Sequence, residues 1–424
     1  MARQRRWLWR LIFFAAFIVA VLSLAPLLPL GWLKPKVEAR LSAAMGRKVT
    51  VDSMRLTVWG GPYLTLNGLT AKEDPDFGAT DFLKANDVRV SFSLLRAFSR
   101  PFVINRLTVH APEFTFIKKK SGAWSWSSLG EVASSRTASL PDTPALVQIA
   151  AALLVGESSA KIEQIDVDGA SVRLIDQTGA QPPETLYKTL TLNATMTDDQ
   201  ADAASRHATG TLRAASDESG AELLKTELPF DFIVNRNASP GLSLKGAFGP
   251  GPLQTRSFIA QSFKLDGQFN NERATGLSGS GGLSATGVFL PSVNVSEQVA
   301  SAARVPTIGD MSEGTKIGSL ETQFHLEHDV INTTRLNVQQ LDGLGDASAA
   351  TGWFKIEAAL TLNYSANVEL SSDATTQLKS SANVLISAAV GAMATNNRVT
   401  VPLSITGDVR NPRVQVDLRR ALGF

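Results

Sequence analysis

The sequence predicts a mostly β protein, in which an N-terminal transmembrane helix precedes a long antiparallel β-sheet with a few short helices. Three observations support this prediction. Residues 11–33 form an apolar run without a single charge. Apolar and polar residues alternate in many short segments after that run, as in VTVPLSITGD at 399–408. Glycine, asparagine, aspartate and proline separate these segments, which is typical of an antiparallel sheet.

The composition excludes several classes of protein and of site. The chain has 424 residues, of which 44% are hydrophobic, so it can build a large core and is not globally disordered. Its formal net charge is only +2, which argues against nucleic acid as the main partner. It contains no cysteine, so disulfides, thiolate metal sites and cysteine nucleophiles are all excluded.

The first 33 residues are interpreted as a cytoplasmic tip and a membrane anchor. The apolar run 11–33 matches the roughly 20 residues that a spanning helix needs. Arginines precede it, and tryptophans lie at its two edges, where amphipathic rings favour the membrane interface. A cleaved signal peptide is the alternative, but Pro26 directly after Ala25 is a poor cleavage context. We therefore expect an uncleaved single span, with everything after residue 33 outside the cytoplasm.

The strand pattern defines a set of candidate residues for one apolar sheet face. Side chains alternate between the two faces of a strand, so apolar residues two positions apart share a face. The candidates are Leu64, Leu66, Val88, Val90, Phe92, Val109, Leu190, Leu192, Val401, Leu403, Val414 and Val416. The last four belong to a predicted β-hairpin over 399–418. The pattern alone does not say what covers this face.

Four segments depart from the strand pattern and are predicted to be helical: residues 34–46, 141–156, 292–304 and 373–394. The glycine-rich segments 249–252 and 276–282 are predicted to be loops. With soft boundaries near these breaks, the chain divides into an anchor (1–33), an N-terminal β region (34–130), a middle β region with a helical insertion (131–284) and a C-terminal β region with a helix (285–424).

Residues that could carry catalysis are sparse, and we expect no enzyme, no metal and no cofactor. His325 and His328 are three residues apart, so on a helix they could share a metal ion, whereas on a strand, which the pattern favours, they point to opposite faces and solvated histidines are expected. Asp198 and Asp199 are interpreted as a solvated turn. Lys118–Lys120 are interpreted as a charged hairpin tip rather than a site for anionic headgroups.

The order of motifs resembles the AsmA family of bacterial envelope proteins. After the anchor and a short helix ending in Gly46-Arg47, the N-terminal third reads VTVDSMRL, YLTLNGLTAKEDPDFG, FLKANDVRVSFSLLRAF and FVINRLTVHAPEFTFIKKKSGAWSW. The C-terminal third reads GTKIGSLETQFHLEHDVINTTRLNV, WFKIEAALTLNYSANVEL and VPLSITGDVRNPRVQVDL. No single motif is specific, but their order is. The resemblance covers roughly residues 1–130 and 283–418.

The resemblance implies a curved antiparallel sheet that forms a gutter, apolar inside and polar outside, and it brings no catalytic residues. It further implies a single-pass protein of the bacterial inner membrane, with the bulk of the chain in the periplasm. The implied partners are a phospholipid or another acyl-chain lipid, the inner membrane, and an acceptor protein in the periplasm or outer membrane. The expected function is phospholipid binding or transfer along an apolar β-groove, in support of outer-membrane lipid homeostasis.

Two functions therefore compete for the same sequence features. In the first, a lipid covers the apolar strand faces. Burial of a methylene group stabilises by about 0.8 kcal/mol, so an acyl chain of about fifteen methylenes gains on the order of 10 kcal/mol on leaving water. In the second, the faces close on one another, and the protein is a non-enzymatic structural or assembly factor for outer-membrane biogenesis. The two differ in whether the candidate residues are accessible.

Overall fold

The structure, a computed structural model, is mostly β-sheet, as expected. The residues that it describes are 31, 33–57, 61–93, 102–121, 124–125, 160–177, 184–198, 205–235, 241–272, 276–303, 305–310, 312–327, 330–355, 361–382, 384–408 and 411–416. Within them, twenty strands belong to one long sheet, and four short helices connect or cover its strands.

The strands lie in chain order with these bounds: β1 Val49–Thr50, β2 Ser53–Thr57, β3 Tyr63–Lys72, β4 Asp81–Phe92, β5 Phe102–His110, β6 Glu113–Lys118, β7 Ala160–Ile162, β8 Gln164–Asp176, β9 Glu184–Asp198, β10 Ser205–Ser216, β11 Leu224–Asn235, β12 Gly241–Thr255, β13 Ile259–Glu272, β14 Gly276–Leu290, β15 Thr315–Glu327, β16 Val330–Leu341, β17 Gly345–Lys355, β18 Thr361–Leu370, β19 Thr400–Asp408 and β20 Asn411–Val416. The helices are α1 Lys34–Met45, α2 Val295–Ala303, α3 Ser372–Ser381 and α4 Val384–Met393.

The sheet is mixed, whereas the sequence predicts a mostly antiparallel one without indicating any parallel pair. From β10 to β20 each strand pairs antiparallel with the next. Strand β5, however, pairs in parallel with β7 and β8. Parallel strands need a long connection, and residues 119–159 between β6 and β7 supply one. Alternation within single strands cannot reveal this crossover, because it carries no information about strand direction.

The described residues fall into two compact units. The first unit comprises Met1–Ile117, Ser128–Arg173 and Thr189–Met196, and the second comprises Lys118–Ser127, Leu174–Lys188 and Thr197–Phe424. Each unit has its own hydrophobic cluster, in which helices cover one face of the strands.

In the first unit, α1 covers strands β1 to β5. Val37 and Leu41 lie one turn apart on the helix and are both buried in the cluster. The helix ends at Gly46, whose φ of 67° is left-handed and whose neighbour Arg47 donates its backbone N–H to the Ser42 carbonyl at 3.1 Å. The helix predicted over 34–46 is therefore confirmed.

An ion pair is enclosed beside this helix. The Arg47 guanidinium bonds the Glu73 carboxylate, and the side chains are only 1% and 0% exposed. The guanidinium carbon also lies 4.0 Å from the centroid of the Phe82 ring, within the range of a cation–π contact. Glu73 Oε1 accepts the backbone N–H of Asp74 at 2.8 Å as well. The pair connects the end of α1 to the end of β3.

In the second unit, α2 lies against the last strand of the sheet. The backbone N–H of Val414 points away from β19 and donates to Gln298 Oε1 on α2 at 2.9 Å. Pro412, two residues earlier along the same edge, has no N–H to offer. A proline and a capped amide protect this edge against the addition of a further strand.

Most of the predicted helices are present, but two predicted loops are strands. The helix predicted over 292–304 is confirmed as α2. The segment 373–394 is helical, but it is broken into α3 and α4 at Ala382, whose backbone is extended. Residues 249–252 and 276–282 lie inside β12 and β14, so the prediction of loops there was wrong.

Two further predictions fall on parts of the chain that the structure does not describe. The helix predicted over 141–156 lies outside the described residues, as do residues 1–30 of the predicted anchor. None of the helices within the described residues combines the length and the apolar character that crossing a bilayer demands.

We expect Glu73→Gln to destabilise the first unit by about 3–5 kcal/mol, because the substitution removes the negative charge opposite a buried guanidinium. Urea-dependent proteolysis of the full chain in detergent measures the change. The control is Glu227→Gln, which disrupts an exposed pair with Arg213 at 2.7 Å and should cost under about 1 kcal/mol. Equal effects of the two substitutions would contradict a special role for the buried pair.

A candidate apolar groove

The strand register places apolar side chains of the second unit on one common face. Residues directly opposite in an antiparallel pair share a face, so the register can be followed across the sheet. One row runs from β10 to β20 through Ala208, Phe232, Gly246, Gly267, Gly281, Phe324, Thr333, Gly352, Tyr364, Ile405 and Val414. The next row runs through Arg206, Val234, Leu244, Phe269, Gly279, Leu326, Ile331, Phe354, Leu362, Gly407 and Pro412.

Helices cover one end of this face. Val338, Ala347, Val368 and Val401 are opposite one another in β16 to β19, and all four are buried in the core cluster of the second unit. The cluster also contains residues of α2, α3 and α4, namely Val295, Val299, Ala300, Ala374, Leu378 and Val390. The chain itself therefore supplies the cover at this end.

The other end of the same face lies outside that cluster, and we call it the open apolar face. It consists of Phe232, Val234, Leu244, Phe269, Phe324, Leu326, Ile331, Phe354, Leu362, Tyr364 and Ile405. Phe232, Phe324 and Leu326 are buried and the others are half-buried. An apolar face that the described helices do not cover is a candidate groove for a hydrophobic ligand.

Aromatic rings pack against one another on and beside this face. Phe232 and Phe248 have ring centroids 4.7 Å apart, with Phe230 at 6.0 Å from Phe248. Phe269 and Phe324, on strands β13 and β15, stack at 6.2 Å across the glycine strand β14. These contacts fall in the range that favours aromatic pairs. The rings give the groove a large apolar surface that no polar group interrupts at these positions.

Glycines allow a close approach of neighbouring backbones here. Gly246, Gly267 and Gly281 are opposite one another in three adjacent strands. A Cβ on Gly281 would lie 2.0 Å from the Asp266 carbonyl oxygen, and one on Gly267 would lie 2.5 Å from that of Ser280. The backbones approach too closely for any side chain, as at the tight bends of barrel-like sheets. These residues form a glycine crease.

One hydroxyl pair interrupts the apolar face. The Tyr364 hydroxyl lies 2.8 Å from Thr333 Oγ1, two strands away. The intervening residue is Gly352, where a Cβ would lie 2.7 Å from Tyr364 Cδ1. The glycine thus allows the tyrosine ring to lie across β17. Burial raises the pKa of Tyr364 above its ordinary value, so the phenol stays protonated.

The opposite face of the same strands is polar. Cross-strand pairs line it, including His207 with Asp231 at 2.6 Å and Arg213 with Glu227 at 2.7 Å. Both pairs are largely exposed. Ile233 and Trp353 are exposed at 38% and 36%, but each stands among polar neighbours. The second unit therefore has one solvated face and one apolar face, as a gutter requires.

The candidate residues of the first unit are in a different environment. Leu64, Leu66, Val88, Val90 and Phe92 are all buried in the cluster that α1 covers, and Val109 is half-buried against it. Helix packing accounts for their burial, so we do not count them as groove wall. Leu190 and Leu192 are half-buried on β9.

The C-terminal candidates lie at the covered end of the second unit. Val401 and Leu403 are buried under the helices, and Val414 packs against the same cluster. Val416 pairs with Leu403 in the hairpin, and its side chain lies outside the described ones. The hairpin is confirmed, but its described apolar residues face the chain's own helices. Only Ile405, two residues beyond Leu403, belongs to the open apolar face.

Sequence reasoning missed most of the open apolar face. Phe230 and Phe232 alternate with the polar Asp231, which predicts a strand with one apolar face. No feature of that pattern distinguishes this strand from the strands that a helix covers. The glycine-rich strands have the composition of loops, so the sequence does not reveal the crease or the stacking of Phe269 and Phe324 beside it. A repeated glycine every second residue, as at Gly279 and Gly281, was the available signal.

Groups that could perform chemistry do not converge in the described part of the chain. No cluster of three or more histidine and acidic side chains suited to a metal ion occurs there. His325 lies on β15 and Asp198 is exposed at the end of β9, whereas His328 and Asp199 lie outside the described residues. Lys118 is buried, with its Nζ 5.5 Å from the Trp124 ring centroid. Of the predicted charged tip at 118–120, Lys118 therefore does not present its charge to solvent.

Comparison with known proteins leaves the family open. No family model matches the chain, and no curated protein shows significant sequence similarity to it.

We expect Gly281→Ala to lower the stability of the second unit by about 1–3 kcal/mol, since the crease leaves no space for a methyl group. The matched control is Gly391→Ala on α4, where a Cβ meets no atom within 4 Å and the helix gains about 0.5–1 kcal/mol. Thermal unfolding of both variants measures the difference, and a stabilised Gly281→Ala would contradict the crease.

Proposed function

We propose that this protein binds or transfers phospholipid along the open apolar face of its sheet. The observation that carries the proposal is one predominantly apolar sheet face of the second unit, of which the described helices cover only one end. An apolar face that the described helices leave uncovered is typical of a binding site for a hydrophobic ligand. The apolar rows run across many strands, as an extended acyl chain requires, and the uncharged rings suit lipids with different headgroups.

The proposed location is the bacterial inner membrane, with residues 11–33 as a single span and the sheet in the periplasm. The apolar run and its flanking arginines and tryptophans support this proposal. The ordered motifs that resemble the AsmA family support the same location and a role in outer-membrane lipid homeostasis. An acceptor protein in the periplasm or outer membrane would complete the route.

The energy of acyl-chain burial is sufficient for such a role. At about 0.8 kcal/mol per methylene, about fifteen methylenes moved from water to the groove gain on the order of 10 kcal/mol. Ordering of the chain and of the groove opposes part of this gain, which leaves a reversible affinity. A lipid that must be released again needs such a balance.

A second candidate function has a specific observation in its favour. The helices already cover Val368, Val401 and Leu403, so part of the apolar face is ordinary core. Were the remainder also closed on itself, the protein would act as a structural or assembly factor for outer-membrane biogenesis. The two functions differ in whether the open apolar face is accessible to lipid.

The first test places a photocrosslinking benzophenone side chain at Phe354 of the open apolar face. We expect crosslinked phospholipid after illumination of cells, detected by mass spectrometry of the purified protein. The matched control is Phe258, which is also half-buried but packs against the helix-covered cluster. If neither position captures lipid, and the protein purified in mild detergent contains no phospholipid, the result would count against lipid binding.

The second test introduces a charge at two positions of β19. We expect Ile405→Glu to fold normally and to lose lipid, because the groove leaves its carboxylate open to water. Leu403→Glu should unfold the second unit, because Leu403 is 5% exposed and a buried unpaired charge costs several kcal/mol. Circular dichroism and lipid extraction separate the outcomes. Unfolding by both substitutions would favour the assembly factor.

A further inference from the structure

We propose that the Tyr364 hydroxyl donates a hydrogen bond to the ester carbonyl of an acyl chain bound on the open apolar face, with Thr333 holding the hydroxyl in position. This inference rests on the proposed function and specifies the class of lipid: one whose chains are joined by ester bonds. It depends on the placement of a single polar pair in otherwise apolar surroundings.

The proton count of the pair leaves one donor available. Two hydroxyl groups carry two protons, and the 2.8 Å contact between them uses one. Among the described residues, neither hydroxyl makes another hydrogen bond. Thr333 is only 6% exposed, so Tyr364 Oη is the acceptor within its reach, whereas the half-buried Tyr364 is the member that a ligand can approach. We assign the Thr333 proton to this contact, which leaves the proton of Tyr364 unused.

The surroundings select a neutral acceptor for this proton. The row neighbours of Tyr364 across β17 and β19 are Gly352 and Ile405, and its neighbour two residues along β18 is Leu362. None of them carries a charge, so a phosphate group would lose its hydration here without compensation. An ester carbonyl is the neutral acceptor that a phospholipid carries at the head of each acyl chain.

The glycine at position 352 makes this arrangement accessible. Because Gly352 has no side chain, the tyrosine ring lies across β17 and its hydroxyl reaches Thr333 from the groove side. Phenylalanine at 364 would fill the same space without any hydroxyl to satisfy. The Tyr364 oxygen is already bonded to Thr333, and a ligand carbonyl would supply an acceptor for the remaining proton.

The experiment is a competition between two phospholipids that share headgroup and chains but are joined by ester or ether bonds. The full-length protein in detergent is mixed with equal amounts of both, and native mass spectrometry measures the ratio of bound ester to bound ether lipid. We expect wild-type protein to favour the ester by about threefold to tenfold, as one hydrogen bond allows. Tyr364→Phe should bring the ratio close to one.

The matched control is Tyr187→Phe, a second partly buried tyrosine in β9 whose pKa burial also raises. It should keep the wild-type ratio. The measured quantity is the ratio of bound ester to bound ether lipid within each sample, so a general loss of stability does not change it. If the Tyr364–Thr333 bond were purely structural, the ratio would be one even for wild-type protein.

The outcomes separate the two proposals. Lipid bound without preference by wild-type protein overturns the role of Tyr364 but leaves lipid binding intact. No retention of either lipid overturns both. If Tyr364→Phe does not fold, infrared spectroscopy of wild-type protein decides instead. A carbonyl-labelled ester lipid should then show its C=O band at lower frequency when bound, and an unshifted band overturns the inference.

Discussion

The register of the sheet is the constraint on which the rest of the structure depends. Side chains alternate strictly along each strand, so a slip of one residue would turn an entire apolar row to the solvated side. From β10 to β20 the register keeps the apolar rows aligned strand after strand. Cross-strand ion pairs such as Arg213–Glu227 on the opposite face oppose the same slip. One sheet thereby acquires one apolar and one polar side.

The helices cover different shares of the apolar strand faces in the two units. In the second unit, α2, α3 and α4 bury the end that carries Val368 and Val401, and α2 also caps the edge of β20 through Gln298. In the first unit, α1 covers the strands completely enough to bury Leu66 and Val90. The described helices therefore cover part of the apolar strand faces, and the open apolar face lies outside that cover.

Glycine has two distinct roles on this face. At Gly267 and Gly281 it allows backbones to approach within a distance that no Cβ permits. At Gly352 it leaves room for the Tyr364 ring, which brings a hydroxyl onto the open apolar face. The first role concerns the packing of backbones and the second the placement of a polar contact. Both depend on which strands are neighbours.

Local patterns in the chain were sufficient to derive the β class, helices α1 and α2 and the C-terminal hairpin, because periods of two and of 3.6 residues are properties of single segments. The identity of the groove wall was not derivable in this way. Leu403 and Ile405 occupy equivalent apolar positions in the alternation of β19, yet helices from elsewhere in the chain cover only Leu403. The glycine-rich strands also looked like loops, because glycine signals a turn unless a neighbouring backbone requires it. Strand neighbours and helix cover are long-range contacts, so only the tertiary structure decides which apolar residues form core and which line a groove.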